Sequence, residues 1–245
     1  YDDPVGAAEP GEPRGMNAST PPGSAVTGLT WRYLPTLLRA ALTTLLLTCA
    51  AMAGAVLLGM GLAIGRVYGP PMVRHAVLVY VEVIRGTPLL LQLFVLYYGL
   101  APIVRLDAYV AAILGLALNY AAYESEIYRS ALEAVSTGQL EAARTLGFTE
   151  LQVLRLIRGP QAFRLALAPM TNDFVALLKD SSLVSVLTVL ELTKQTQIFA
   201  TNIGSWVVPG ILCAALYLAM SLPLALDRGK IFLGPLKVGE IPPLY

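Results

Sequence analysis

Long apolar stretches separated by shorter polar segments dominate the sequence. A bilayer core of about 30 Å is crossed by a helix of about 20 apolar residues. The first stretch contains Arg39 as its only charge, the last has no charge, and Pro88 beside Gly86 predicts a bend in the second. The pattern predicts an all-α integral membrane protein with about five transmembrane helices, at about residues 34–64, 76–102, 108–128, 165–190 and 206–226.

The composition agrees with a membrane protein. The chain is 56% hydrophobic and 13% charged, with a mean hydropathy of +0.65, which is too apolar for an ordinary soluble domain. A net charge of +1 excludes the dense basic face of a nucleic-acid-binding protein. Cys49 and Cys213 lie in apolar stretches and His75 is the only histidine, so the sequence predicts no disulfide framework and no metal site.

The two ends of the chain differ in composition from its middle. Residues 1–30 are rich in Pro, Gly, Ala, Ser and Thr, which predicts a disordered N-terminal extension. Residues 229–245 form a C-terminal tail whose Pro and Gly content predicts disorder as well. The segment between them, residues 31–228, is predicted to be one transmembrane domain.

The distribution of Lys and Arg predicts the orientation of the chain. With five spans the termini lie on opposite sides, and segments rich in Lys and Arg stay in the cytoplasm. The N-terminus is therefore predicted outside and the C-terminus inside, with the connection between the third and fourth spans in the cytoplasm. The inner segments then contain Arg66, Arg74, Arg129, Arg144, Arg155, Arg158, Arg164, Arg228, Lys230 and Lys237, and the outer segments Arg14, Arg32, Arg105 and Lys194.

The cytoplasmic connection contains two successive patterns that are typical of helix starts. Ser136 and Thr149 are each followed three residues later by Gln, as in a capping box. Gly147 is predicted to end the first short helix, and Gly159-Pro160 is predicted to end the second.

The same connection carries a spaced motif. Glu141-Ala142-Ala143 is followed by Gly147, then by Ile157 and Pro160. This spacing resembles the EAA loop, here about residues 136–160, of permeases in ATP-binding-cassette importers. In that family the short helix couples the permease to a cytoplasmic ATPase. The resemblance therefore assigns ATPase coupling to Glu141, Ala142, Ala143, Gly147 and Pro160, although Gly159 stands where the family usually has a bulky apolar residue.

Further segments resemble the branch of these permeases that imports polar amino acids such as histidine, glutamine, glutamate, arginine and opines. The resemblance implies a permease in the bacterial cytoplasmic membrane that works with a second, identical or homologous permease, two ATPase subunits and an extracytoplasmic solute-binding protein. The segments are Arg85 to Leu90, Gln92, Tyr97 to Gly99, Asn119 to Tyr123, Glu126, Gly138-Gln139 and Asn172 with Lys179 to Leu183.

The chain shows no sequence pattern for ATP hydrolysis. Its only Gly-Lys pair, Gly229-Lys230, is followed by Ile231 and does not complete a phosphate-binding loop. We therefore expect no catalytic residue and no cofactor in this chain, with ATP and Mg²⁺ bound by the partner ATPase. The alternative function is an ion-coupled secondary transporter or a channel for a small polar solute, which would also place charges in its spans but gives no reason for the EAA spacing.

Four charges inside the predicted spans are candidates for the substrate path: Glu82, Arg85, Asp173 and Lys179. A charge at mid-membrane costs about 2.5 to 3.5 kcal/mol on insertion scales, so each needs a partner or a wet cavity. Arg85 is suited to a substrate carboxylate, and Asp173 or Glu82 to an ammonium group. Alternatively, Glu82 and Arg85, three residues apart on one helix, neutralise each other.

Overall fold

The computed structural model describes the backbone of residues 22–232 and the side chains of residues 32–226. The predictions for residues 1–21 and 233–245 fall outside this part. The regular elements in it are all helical: α1 (Pro22–Tyr68), α2 (Pro71–Gly86), α3 (Leu89–Phe94) with a π turn (Val95–Gly99), α4 (Ala108–Glu133), α5 (Thr137–Thr145), α6 (Glu150–Gln152) with a π turn (Val153–Arg158), α7 (Gly159–Asp180) with a 3₁₀ turn (Ser181–Leu187), α8 (Leu192–Ile203) and α9 (Val207–Phe232).

The first and last helices of the chain, α1 and α9, extend beyond their predicted limits. Residues 22–30, predicted as part of a disordered extension, belong to α1, and residues 229–232 of the predicted tail belong to α9. Adding a residue to an existing helix costs much less than nucleating a new one, so both helices continue past their apolar parts. Pro22 is suited to the first position of α1, where a backbone N–H has no helical partner.

Two helices within residues 22–232 are long and apolar enough to cross a membrane by themselves. They contain Arg32–Tyr68 and Val207–Leu226, and the bent pair Pro71–Gly86 and Leu89–Gly99 is a third candidate. Helices α4 and α7 have comparable lengths, but their carboxylate and basic side chains lower their hydropathy. The total of five spans stays a prediction.

The second predicted span is broken. The bend predicted at Pro88 is present and sharp: α2 and the α3 segment meet at 106° around extended residues Thr87 and Pro88. Pro88 has no N–H to continue the helix. The Gln92 amide nitrogen donates to the carbonyl oxygens of Ile84 at 2.8 Å and Thr87 at 3.1 Å. These bonds satisfy carbonyl groups that the break frees.

The connection between α4 and α7, which the sequence predicts to be cytoplasmic, runs into α7 without a stop. The prediction that Gly159-Pro160 ends the helix is wrong: the π turn at Val153–Arg158 leads directly into α7. The Gly159 N–H bonds the Leu154 carbonyl five residues back, the wider spacing of a π-helix. Because this turn precedes it, Pro160 takes an early position of α7, where the missing N–H is tolerated.

Helix α8 was not predicted, and its N-terminus is buried. Glu191 is fully buried and accepts hydrogen bonds from the N–H groups of Thr193 and Lys194, both at 2.7 Å. The Tyr217 hydroxyl also donates to Glu191, at 3.1 Å, and the Leu192 N–H donates to the Thr44 hydroxyl of α1 at 3.0 Å. These side chains satisfy the free N–H groups at the start of α8.

The core forms where α1 packs along α4. Small residues bring the two backbones together, as is common between membrane helices. A Cβ atom at Gly54 would lie 3.0 Å from the Ala117 Cβ, and one at Gly59 would lie 2.8 Å from the Glu124 Cβ. Glu124 is fully buried at this crossing, so its packing leaves no space for a larger residue at position 59.

The close crossing predicts that Gly59→Ala destabilises the chain. The added methyl would also lie 3.1 Å from the Ala121 carbonyl oxygen, so the helices must separate, at about 1 to 3 kcal/mol. We expect a lower melting temperature for the purified chain in detergent. Gly61→Ala is the matched control, because no heavy atom lies within 4 Å of its added Cβ. Equal melting temperatures for the two variants would contradict the packing argument.

Candidate functional site

The loop between α4 and α7, predicted to be cytoplasmic, folds as two short helices, of which one has the predicted cap. Thr149 and Gln152 form a capping box: the Thr149 hydroxyl accepts from the Gln152 N–H, and the Gln152 side chain accepts from the Thr149 N–H at 2.8 Å. Ser136 precedes α5 but makes no side-chain cap bond, so the prediction of a hydroxyl cap there is wrong. The Ser136 backbone carbonyl accepts from Gln139 instead, at 3.2 Å.

Gly147 ends α5, as predicted, in a left-handed conformation with φ of +84°. The Phe148 N–H bonds the Ala143 carbonyl at 3.1 Å, and the Gly147 N–H bonds the Arg144 carbonyl at 2.9 Å. This pair of bonds is a Schellman motif, which requires a residue that tolerates positive φ.

Side-chain bonds hold α5 against the elements that follow. Arg144 and Glu150 pair across the Gly147 turn through two bonds, of 2.6 and 3.1 Å, and these bonds hold the pKa of the Glu150 carboxyl below its usual range. The Gln161 amide at the start of α7 donates to Gln139 on α5 at 2.8 Å. Helix α5 is therefore tied both to α6 and to α7.

The Glu-Ala-Ala residues point in different directions. Ala143 and Leu140 are buried against the bundle, whereas Glu141 and Ala142 are exposed. Of the two alanines assigned to coupling, only Ala142 is accessible on the surface of α5. Large apolar side chains are also exposed beside this face, with Leu146 79% and Leu151 55% exposed. Exposure of large apolar side chains to water is unfavourable, so this face is suited to contact with a protein partner.

Two adjoining cavities lie between α2, α4 and α7. One has a volume of about 250 Å³ and the other about 350 Å³, and Tyr123 and Asp173 line both. The Oδ2 atom of Asp173 is buried and has no hydrogen-bond partner within residues 32–226. Arg85 and Asn172 line the first cavity as well. A cationic and an anionic side chain from different helices therefore face one space.

The four predicted path residues separate into two pairs. Arg85 and Asp173 meet at the cavity, whereas Glu82 and Lys179 are exposed and line neither of the two cavities described above. No ion pair joins Glu82 to Arg85 among the described side chains, so the alternative of mutual neutralisation is not found. The Arg85 guanidinium carbon instead lies 5.2 Å from the centre of the Tyr123 ring, in a cation–π contact.

Sequence analysis missed polar contacts that shape the cavities. The Tyr120 hydroxyl donates to the Asp180 carboxylate at 2.8 Å, and both residues line the larger cavity. The Asn119 amide donates to Gln92 at 3.0 Å and joins α4 to the broken span. All four residues lie in segments that carry the family resemblance. The sequence also offered a second signal: Asn119 and Tyr123 are four residues apart on α4, so a helical projection places them on the same face.

Glu126 connects the smaller cavity to the helix ends. It pairs with Arg66 at the end of α1 and with Arg129 at 2.9 Å, and Arg129 also bonds Glu133 at 2.6 Å. Because the Glu126 and Arg66 side chains are about one-fifth exposed, solvent only partly screens this network. Glu126 is the member of this network that lines the cavity.

Comparison with known proteins decides the family. Residues 55–226 match the family described as binding-protein-dependent transport system inner membrane component. The chain belongs to this family. Membership confirms the resemblance to permeases of ATP-binding-cassette importers. The chain is thus an inner-membrane permease component, not the ATPase of such a system, and membership favours the importer over a secondary transporter or a channel.

Named relatives agree with this family. The probable amino-acid permease protein YxeN of Bacillus subtilis (strain 168) is 39% identical over 180 residues, which are 70% of this chain and 80% of the relative. The glutamine transport system permease protein GlnP of Escherichia coli (strain K12) is 34% identical over 170 residues, or 68% and 78%. A crystal structure of an amino acid ABC transporter with histidines superposes with a TM-score of 0.77 at 34% identity, covering 86% of this chain and 97% of that one.

The geometry of the loop predicts that Gly147→Ala loosens the end of α5. A left-handed conformation costs a non-glycine residue about 1 to 2 kcal/mol, so the amides of Leu146 to Phe148 should exchange with solvent about 5 to 30 times faster. Hydrogen exchange followed by mass spectrometry measures this. Gly138→Ala is the matched control on the same helix, because its φ is not positive and its added Cβ meets only the Ser136 Oγ, at 3.8 Å. Unchanged exchange in Gly147→Ala would refute the cap.

Proposed function

We propose that this permease forms, with a second permease copy, a path for polar amino acids that an ATPase pair drives from the cytoplasmic side. The names of its relatives, an amino-acid permease and a glutamine permease, support this class of substrate. The cytoplasmic loop with its exposed apolar face supports coupling to an ATPase. An extracytoplasmic binding protein would deliver the substrate, and ATP with Mg²⁺ would bind to the ATPase subunits alone.

The observation that carries this proposal is that Arg85 and Asp173, on different helices, line one cavity. A free amino acid carries a carboxylate and an ammonium group, and the guanidinium and carboxylate side chains complement these two charges. The unpartnered Asp173 oxygen is an acceptor available for the ammonium group. The Tyr123 ring, which both cavities share, adds an apolar face beside Arg85.

The coupling surface is the outward face of α5 with its flanking turn. Glu141 and Ala142 are exposed there, and the small Ala142 side chain permits close approach of a partner. Leu146 and Leu151 add apolar area that the ATPase would bury. Pro160, also assigned to coupling, is exposed at the start of α7, where it fixes the position at which the loop enters the membrane domain.

The orientation with the N-terminus outside and the C-terminus inside belongs to the same proposal. It places Arg144, Arg155 and Arg158 on the cytoplasmic side, together with the end of α1 that carries Arg66. This arrangement follows the tendency of basic residues to remain in the cytoplasm. It also places α5 on the side where ATP is available.

Glu141→Lys is expected to uncouple the ATPase from transport. Glu141 forms no ion pair within residues 32–226, and a like charge facing a basic partner in an interface costs several kcal/mol. We expect amino-acid-stimulated ATP hydrolysis of the complex in lipid vesicles to fall at least about tenfold. Glu141→Gln keeps the side-chain shape and a hydrogen-bond acceptor, and is expected to retain most of the stimulation. Full stimulation in Glu141→Lys would remove Glu141 from the interface.

Arg85→Gln is expected to weaken transport, because it removes the guanidinium group that would bind the substrate carboxylate. A hydrogen bond to a charged group contributes about 1.5 to 3 kcal/mol, which corresponds to a loss of roughly ten- to a hundredfold in apparent affinity. The measurement is uptake of radiolabelled amino acids into vesicles that contain the complete complex, over a panel of amino acids. Arg74→Gln is the matched control on α2, since Arg74 is exposed and lines neither cavity. An equal effect of both substitutions would assign Arg85 no role in binding.

A further inference from the structure

A third cavity lies on the opposite side of α4 and has a different character. It is a groove of about 430 Å³ between α1, α4 and α7, and its walls are apolar except for Arg155 and the hydroxyl of Tyr128. Small residues create the space, because Ala131, Gly159 and Ala162 line it without long side chains. The groove shares no lining residue with the two polar cavities, and of the residues assigned to coupling only Pro160 lines it.

The groove has the length of a lipid chain segment and is open to the bilayer. Its wall on α1 runs from Val56 to Ile64, about 12 Å along the helix, against about 15 Å for one leaflet of the hydrocarbon core. The outer side chains are accessible, with Met60 43% and Phe163 54% exposed. An acyl chain can therefore enter from the side.

The basic end of the groove lies at the level of the lipid headgroups. Arg158 donates to the Tyr68 hydroxyl at 2.7 Å and packs over its ring, an aromatic and basic pair typical of the membrane–water boundary. Arg155 is located three residues earlier on the same π turn. It is exposed, and it forms no ion pair with any side chain between residues 32 and 226. This leaves its guanidinium free to bind an anion.

We propose that the groove binds one anionic phospholipid from the leaflet on the side of α5. One acyl chain lies along Met60 and Phe163, and the phosphate of the headgroup bonds Arg155. Charge complementarity selects an anionic lipid over a zwitterionic one, because the phosphate of the latter is already compensated by its own cation. The bound lipid fills the space beside the π turn that joins the coupling loop to α7.

The test uses the full chain in nanodiscs of phosphatidylcholine that contain a minor fraction of a photoreactive lipid. The reactive group is on the acyl chain, and the headgroup is either phosphatidylglycerol or phosphatidylcholine. Cross-links to the peptides of Met60 and Phe163 are counted by mass spectrometry. We expect phosphatidylglycerol to give about five times the yield of phosphatidylcholine. The readout needs neither ATPase nor substrate, so its failure is distinct from a failure of the proposed transport function.

Three variants decide the outcome. Arg155→Gln is expected to abolish the preference for phosphatidylglycerol, whereas Arg164→Gln, an exposed arginine outside the groove, is expected to keep it. Met60→Trp, which fills the groove from its exposed side, is expected to lower the yield from both lipids. Equal yields from the two lipids in the wild-type chain overturn the proposal, as does a preference that survives Arg155→Gln. Cross-links from these positions to a second copy of the chain would instead assign the groove to a permease interface.

Discussion

A proline cannot donate a backbone hydrogen bond, and the accommodation of Pro160 determines how the cytoplasmic loop joins the membrane domain. The π turn before it allows the Gly159 N–H to reach Leu154, so one helical path continues from Glu150 to Asp180. Asp173 lies about 21 Å along this path from Gly159. One helical path therefore joins the loop to the cavity, with Pro169 inside α7 between them.

The two functional regions share α4 and α7 but differ in how their polar groups are satisfied. Near the loop, arginines pair with carboxylates, as between Arg144 and Glu150, and this ion pair holds α5 against α6. Within the membrane domain the buried side-chain oxygens of Glu124, Tyr128 and Asp173 lie on these two helices, and Glu124 and Tyr128 are neighbours four residues apart on α4. Of these, only Asp173 lines the polar cavities, where a substrate ammonium group can satisfy it.

Several patterns that depend on neighbours in sequence were readable from the chain alone, although the same reasoning failed for the cap at Ser136 and for the stop at Gly159-Pro160. The apolar stretches, the capping box at Thr149 and the turn at Gly147 each rest on contacts within a few residues, and the structure contains them. Features that rest on distant residues were not readable. The start of α8 depends on Thr44, which is nearly 150 positions away. That Arg85 rather than Glu82 lines the cavity depends on its contact with Tyr123 of another helix.

The break in the second span illustrates how its polar groups limit motion. Bends at proline are often described as hinges. At this bend, however, the Gln92 side-chain nitrogen donates to the backbone carbonyls of Ile84 and Thr87, and the Gln92 side-chain oxygen accepts from Asn119. Flexing the bend would break several of these bonds at once. The break is accordingly held as a corner, and in the proposed function the amino-acid path would open and close by whole helices moving past one another.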